Sequence, residues 1–220
     1  MQPRQLVALP SSTDIFWEVV SDDFCRMLTR IIFKDYRKAN EHSEEHFAPQ
    51  EAHDIRPYLR RSFIEQDVRK AAREFPPMIA SAVLNSVNNC YHTEIRVGRV
   101  VLTISAVETP ETIVRDARFR LAYANEPQMA MPIIERDDIP TWERSVYALA
   151  IHGPNPRQRG LPGFMHIVFP VPDCSEYAAR IDLFKRYPDI PAEFGVSETI
   201  GIPDAYLRRD AMPSEDDQEV

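Results

Sequence analysis

The stretch "YHTEIRVGRVVLTISAV", residues 91–107, decides the fold class. Two runs rich in Val, Ile and Thr, "HTEIRV" and "VVLTISAV", flank the pair Gly98-Arg99. Glycine reaches positive φ without steric penalty, so a Gly-X pair suits the type II′ turn that joins adjacent antiparallel strands. The hydrophobic period changes here from helical to alternating, and residues 91–107 read as a β-hairpin.

Upstream of the hairpin the signals are helical. Ser21 is placed to cap a first helix, with Asp22 and Asp23 in its first turn, where the positive end of the helix dipole favours acids. Phe24, Leu28, Ile31, Ile32 and Ala39 then recur at helical spacing. A second helix is expected from Pro57, a residue suited to the first helical position, to Glu74, ahead of Pro76 and Pro77. "MIASAVLNSVNN", residues 78–89, reads as a further short helix and completes a helical N-terminal part, residues 1–90.

Downstream, Thr109, Pro110 and Glu111 suit the cap and first turn of a helix reaching Asn125, with Ile113, Ala117, Leu121 and Ala124 facing inward. A strand is expected near "QMAMPII", residues 128–134. "SVYALAIH" (145–152) and "GFMHIVFPV" (163–171) read as central strands joined by a long proline-containing loop. Asp173 and Glu176 form an Asp-x-x-Glu capping pattern ahead of a helix over "SEYAARIDLFKR", residues 175–186. Residues 91–190 thus form an α+β sheet part, continuous with the first as one domain, and residues 191–220 a surface-wrapping segment and disordered acidic tail. Helices first, then strands with few crossovers, imply an α+β class with a mainly antiparallel sheet.

The 220 residues are 44% hydrophobic and 27% charged, which suits a globular core and excludes wholesale disorder. Cys25, Cys90 and Cys174 are far apart and odd in number, so neither a disulfide framework nor a cysteine zinc site is indicated, and a reducing, cytoplasmic compartment is expected. No apolar run approaches the roughly 18 residues of a membrane span. The net charge of −8 argues against a protein that coats nucleic acid through bulk electrostatics. Half of that excess sits in "AMPSEDDQEV", the last ten residues, so a locally basic surface on the body remains compatible with it.

Two constellations carry chemistry. The first is "ANEHSEEHF", residues 39–47, where His42, Glu45 and His46 stand in the order H-x-x-E-H and resemble the signature of the inverted zinc peptidases. Histidines at i and i+4 aim two imidazoles at one point, with the glutamate nearby as base. The resemblance covers five residues and lacks a third ligand, so the structural reading, two histidines turned to the core, is preferred. Arg37 and His42 also resemble the R-x4-H signature of the HEPN ribonucleases, which implies a pair able to position and protonate a scissile phosphate.

The second is "AIHGPNPRQRGLPGFMHIV", residues 150–168. If Ala150–His152 pairs with Phe164–His166, then His152 and His166 share a face as diagonal neighbours about 7 to 8 Å apart. Arg157 and Arg159 crown the loop between them, and two arginines in a glycine-containing loop can engage a carboxylate or phosphate. His152, Arg157, Arg159 and His166 are therefore the candidate binding residues. The helix from Arg56 to Arg73 carries six basic and two acidic residues, but they do not line one stripe, which suits a solvated face.

There is no G-x-x-x-x-G-K-[ST] loop, no G-x-G-x-x-G after a strand and no G-x-S-x-G elbow, so nucleotide-cofactor and serine-hydrolase chemistry have no support. The expectation is a soluble, cytoplasmic, non-catalytic binding or regulatory module that recognises another protein or a nucleic acid, without membrane, metal or cofactor. The alternative is a hydrolase, zinc-dependent through His42 and His46 or ribonuclease-like through Arg37 and His42.

Overall fold

The structure is a computed structural model and describes residues 11–85, 90–115, 117–125 and 145–196. Three helices open the chain: α1 (Ser12–Val19), α2 (Asp22–His46) and α3 (Pro49–Ala72). They start where the chemistry of helix ends requires. Ser11 and Asp14 form a reciprocal capping box on α1, and the Ser21 hydroxyl accepts the Phe24 N–H at the start of α2. The second helix thus begins where expected and continues unbroken through His46.

Its partner α3 begins eight residues earlier than expected, at Pro49 rather than Pro57. Pro49 is the residue at the first helical position, where a missing N–H costs nothing, and Pro57 is carried inside the helix. An internal proline removes one helical hydrogen bond. Burial of Ile64, Val68, Ala71 and Ala72 against α2 and the sheet offsets that loss.

Six strands follow in one sheet whose spatial order is the chain order: β1 (Ile79–Leu84), β2 (Tyr91–Val97), β3 (Val100–Ala106), β4 (Val146–Pro154), β5 (Pro162–Pro170) and β6 (Tyr177–Asp182). All neighbours are antiparallel except β3 and β4, which run parallel. The hairpin is as read, and Gly98 at its turn has φ of +52°. Parallel neighbours need a crossover, and α4 (Arg118–Asn125) lies on it. Two short helices, α5 (Leu183–Arg186) and α6 (Asp189–Glu193), close the described chain.

Three elements differ from the sequence reading. Residues 79–84 are a strand, not a helix: the small residues of "IASAVL" have no strong periodicity, and pairing with β2 overrides local preference. The helix expected from Thr109 starts only at Arg118, and Thr109–Thr112 is a tight turn. Residues 177–182 are also a strand. Asp173 does not cap a helix; its carboxylate accepts the Ser175 N–H and hydroxyl in a local turn, and the helix waits until Asp182 accepts the N–H groups of Phe184 and Lys185. The alternation of Ala179 and Ile181 inward with Arg180 and Asp182 outward is the strand signal there. The strand expected at 128–134 and the tail from residue 197 lie outside the described residues.

The main core lies between α1–α3 and the inner sheet face, where Phe16, Phe24, Leu28, Ile32 and Phe33 meet Ile95, Leu102, Ala150, Met165 and Ile167. A smaller cluster on the outer face joins Val101, Tyr147, Leu149, Ile151 and Val168, with Tyr123 and Ala124 of α4 packed on it. No helix among the described residues is long and apolar enough to cross a membrane.

Candidate functional site

The loop between β4 and β5 is braced from within. Asn155 is only 6% exposed, and its side-chain oxygen accepts the N–H groups of Arg157 and Gln158, while its own N–H donates to the Leu161 carbonyl. Gly160, with φ of +77°, sits so close to α2 that an added Cβ would lie 3.0 Å from the Asn40 Cβ. Any other residue would meet both backbone strain and a packed neighbour. The result is a fixed tip seated on the corner where α2 turns into α3.

Arg157 and Arg159 project from that tip into solvent, and among the described residues neither has an ion-pair partner. Arg159 forms one wall of an open groove of about 510 Å³ whose other walls are Pro49, Gln50, His53, Asp54 and Arg56, all from the first turns of α3. Arg56 is tied down: its guanidinium donates to the Ser43 hydroxyl at 3.0 Å and lies 3.7 Å from Glu44. His53 lies 3.1 Å from the Asp54 carboxylate. The groove therefore combines two guanidinium groups, Arg56 tied down and Arg159 exposed on the tip, with an imidazole that the Asp54 carboxylate accompanies. Sequence reading missed its α3 half, because the helix was expected to start at Pro57; Pro49 at the first helical position was the available signal.

The two histidines of the loop region do not join the arginines, and they do not share a face. Opposite His152 stands Met165, and opposite His166 stands Ile151, so the two imidazoles project from opposite sides of the sheet. A register shift beside Gly153 and Pro154 places Gly163 as an extra residue between the pairs Pro154–Pro162 and Gly153–Phe164. A slip of one residue turns a whole strand over, and that bulge corrects the expected diagonal pairing. His152 points to the helices, 2% exposed, and shares a 2.8 Å hydrogen bond at Nδ1 with the Tyr36 hydroxyl. Burial pushes its pKa down to about 3, with Arg60 adding to the effect, so the ring is neutral across the physiological range. His166 is buried on the outer face, its Nε2 3.7 Å from the Asp182 carboxylate.

The H-x-x-E-H motif likewise resolves into geometry. His42 and His46 stack ring on ring at 4.2 Å, and His46 Nδ1 lies 3.1 Å from the His42 carbonyl oxygen. His42 is half-buried against the edge of Phe63 and His46 is exposed, so they do not both face the core as their helical phase suggests. At this end of α2, Ser43 takes the buried position. Among the described residues no group of three His, Cys, Asp or Glu side chains is placed to hold a metal ion. Arg37 turns toward the end of α6, where its guanidinium lies 5.2 Å from the Phe194 ring and donates to the Phe194 carbonyl.

A polar cluster that sequence reading did not single out lies beneath α4. His92, 5% exposed, stacks on Phe119 with ring centroids 3.9 Å apart, and neither ring nitrogen has a hydrogen-bond partner among the described residues. Burial holds its pKa below the ordinary histidine value against the raising effect of Glu65 and Glu94. Beside it Glu94 accepts hydrogen bonds from Arg96 and the Tyr123 hydroxyl; burial pushes its pKa up, but these donors outweigh burial and hold it low. Arg120 donates to the Ser105 hydroxyl at 2.9 Å. These contacts clamp α4 to the sheet.

Compared with known protein families, with curated proteins and with solved structures, the chain has no match.

Proposed function

We propose that this chain is a non-catalytic binding module of the cytoplasm that recognises another protein, gripping an acidic segment with the tip of the β4–β5 hairpin and the groove beside it. The observation that carries this reading is the pair Arg157 and Arg159. Both are exposed cations without an ion-pair partner among the described residues, on a loop that Asn155 and Gly160 hold in one shape. Presenting charge on a rigid loop lowers the entropy lost on binding, and guanidinium groups match carboxylates through paired hydrogen bonds. The overall charge of −8 repels any polyanion, and it opposes a short acidic segment at this local basic spot less than a long nucleic-acid backbone, which needs many phosphate contacts.

A fluorescently labelled peptide rich in glutamate tests the reading. It is expected to bind the full chain in a salt-dependent way, while a lysine-rich peptide and duplex DNA do not. Arg157→Ala combined with Arg159→Ala is expected to weaken binding about tenfold or more, since two charge-assisted contacts of about 1 kcal/mol each are lost. Because both side chains are exposed, the thermal midpoint should be unchanged. Equal affinity for the double variant and the parent chain would refute the assignment.

A further inference from the structure

Strand β1 forms one end of the sheet, and among the described residues its outer edge has no strand neighbour. Such an edge offers a row of unpaired N–H and C=O groups to any other strand, and proteins that must stay apart guard it with charges, proline or a short length. Strand β6, at the opposite end, carries Arg180 and Asp182. Strand β1 has no such guard. Its six residues, "IASAVL", contain no charge and no proline. Four of the six are exposed, Ile79 at 66% and Leu84 at 42%, and Tyr91, paired with Leu84 across the hairpin, is exposed at 58%. These are three of the large hydrophobic side chains left exposed on the described residues, gathered at one edge.

We infer that the β1 edge pairs with the β1 edge of a second copy of this chain, antiparallel about a twofold axis through Ser81, so that two sheets join into one continuous sheet. The occupant follows from self-complementarity. In a twofold contact every residue meets its mirror position, so the strand must tolerate itself. With Ser81 opposite Ser81, the outward-facing Ile79 meets Val83 of the second copy, and Ala80 meets Ala82 on the inner face. No like charges face each other, the small residue lies at the axis, and a β-branched pair flanks it on each side, which is the cross-strand combination that stabilises antiparallel pairs. Pairing of β1 with β6 would instead bring Arg180 and Asp182 to an uncharged edge and would leave free edges to grow into a filament. The shared edge, six residues at about 3.4 Å each, is about 20 Å long, so the contact is small and the dimer weak.

Sedimentation of the full chain across concentrations up to about 100 μM tests this, a range suited to a small contact. A concentration-dependent monomer–dimer equilibrium is expected. Ser81→Lys places two lysines face to face and is expected to weaken the dimer at least tenfold, whereas Ser81→Thr retains it. An equimolar mixture of the Ser81→Lys and Ser81→Glu chains is expected to restore a heterodimer, which also shows that each variant folds. A chain that stays monomeric over the whole range, a dimer that survives Ser81→Lys, or a mixture that fails to pair would each overturn the proposal. The first of these leaves the edge to a strand from another protein.

Discussion

Asp35→Asn is expected to stabilise the protein by about 2 kcal/mol at neutral pH and to have almost no effect near pH 4. Asp35 lies on the buried side of α2, 2% exposed, and its Oδ2 has no hydrogen-bond partner among the described residues. Burial pushes its pKa up to about 7, and the neighbouring Asp67 carboxyl of α3 adds to this, while Lys38 and Lys34 oppose it. A hydrogen bond between two carboxyl groups needs a proton on one of them, so the folded chain retains a proton on Asp35 that the unfolded chain loses at about pH 4. A folded pKa raised above the unfolded one gives stability that is fully present below about pH 4 and lost as pH rises toward about 7. Asparagine has the same shape, carries its donor permanently and has no charge to desolvate. A full shift of this size is worth about 4 kcal/mol as a ceiling; relaxation around the site reduces it to about half. Urea unfolding of parent and variant between about pH 4 and about pH 8 checks it. The two stability curves should converge in acid and diverge toward neutrality; parallel curves would show that the carboxyl titrates normally.

Gly153→Ala is expected to destabilise the protein by about 3 kcal/mol, lowering its thermal midpoint by roughly 10 °C for a chain of this length. An added Cβ would lie 2.4 Å from the Phe164 ring and 2.5 Å from the Val107 carbonyl oxygen. The ring could turn only by displacing the outer cluster to which it belongs. The carbonyl is backbone, and the Val107 N–H is itself bonded to the His152 carbonyl at 2.9 Å, so the crossover is held where the methyl group would go. Overpacking at a site that cannot yield is among the few mechanisms by which one methyl group has so large an effect. Differential scanning calorimetry decides the matter, and a midpoint within about 1 °C of the parent would mean that the crossover moves freely.

The elements most legible in the sequence were those with local, position-specific chemistry. Gly98 could be read as a turn because of the φ it allows, Ser21 as a cap because of its hydroxyl, and the runs at 145–152 and 163–171 as central strands because both faces are covered. Elements fixed by distant pairing were less legible. The residues of β1 and β6 have weak intrinsic preference and become strands because a neighbour offers a ladder. The candidate site divides in the same way. Arg157 and Arg159 stand out as charges on a glycine-containing loop, whereas the groove wall from Gln50 to Arg56 depends on where α3 starts and on Gly160 resting against Asn40. The separation of His152 from His166 turns on a single bulged residue, Gly163, which no pattern in the strands announces.

The most direct measurement of the proposed recognition is chemical-shift perturbation of the isotope-labelled chain on addition of the glutamate-rich peptide. Binding at the hairpin tip predicts perturbed amides at Gln50, His53, Arg56 and residues 157–160, with the Arg159 guanidinium among the most affected. Perturbation confined to another surface, such as the β1 edge or the cover of α4, would contradict it, as would a spectrum that the peptide leaves unchanged.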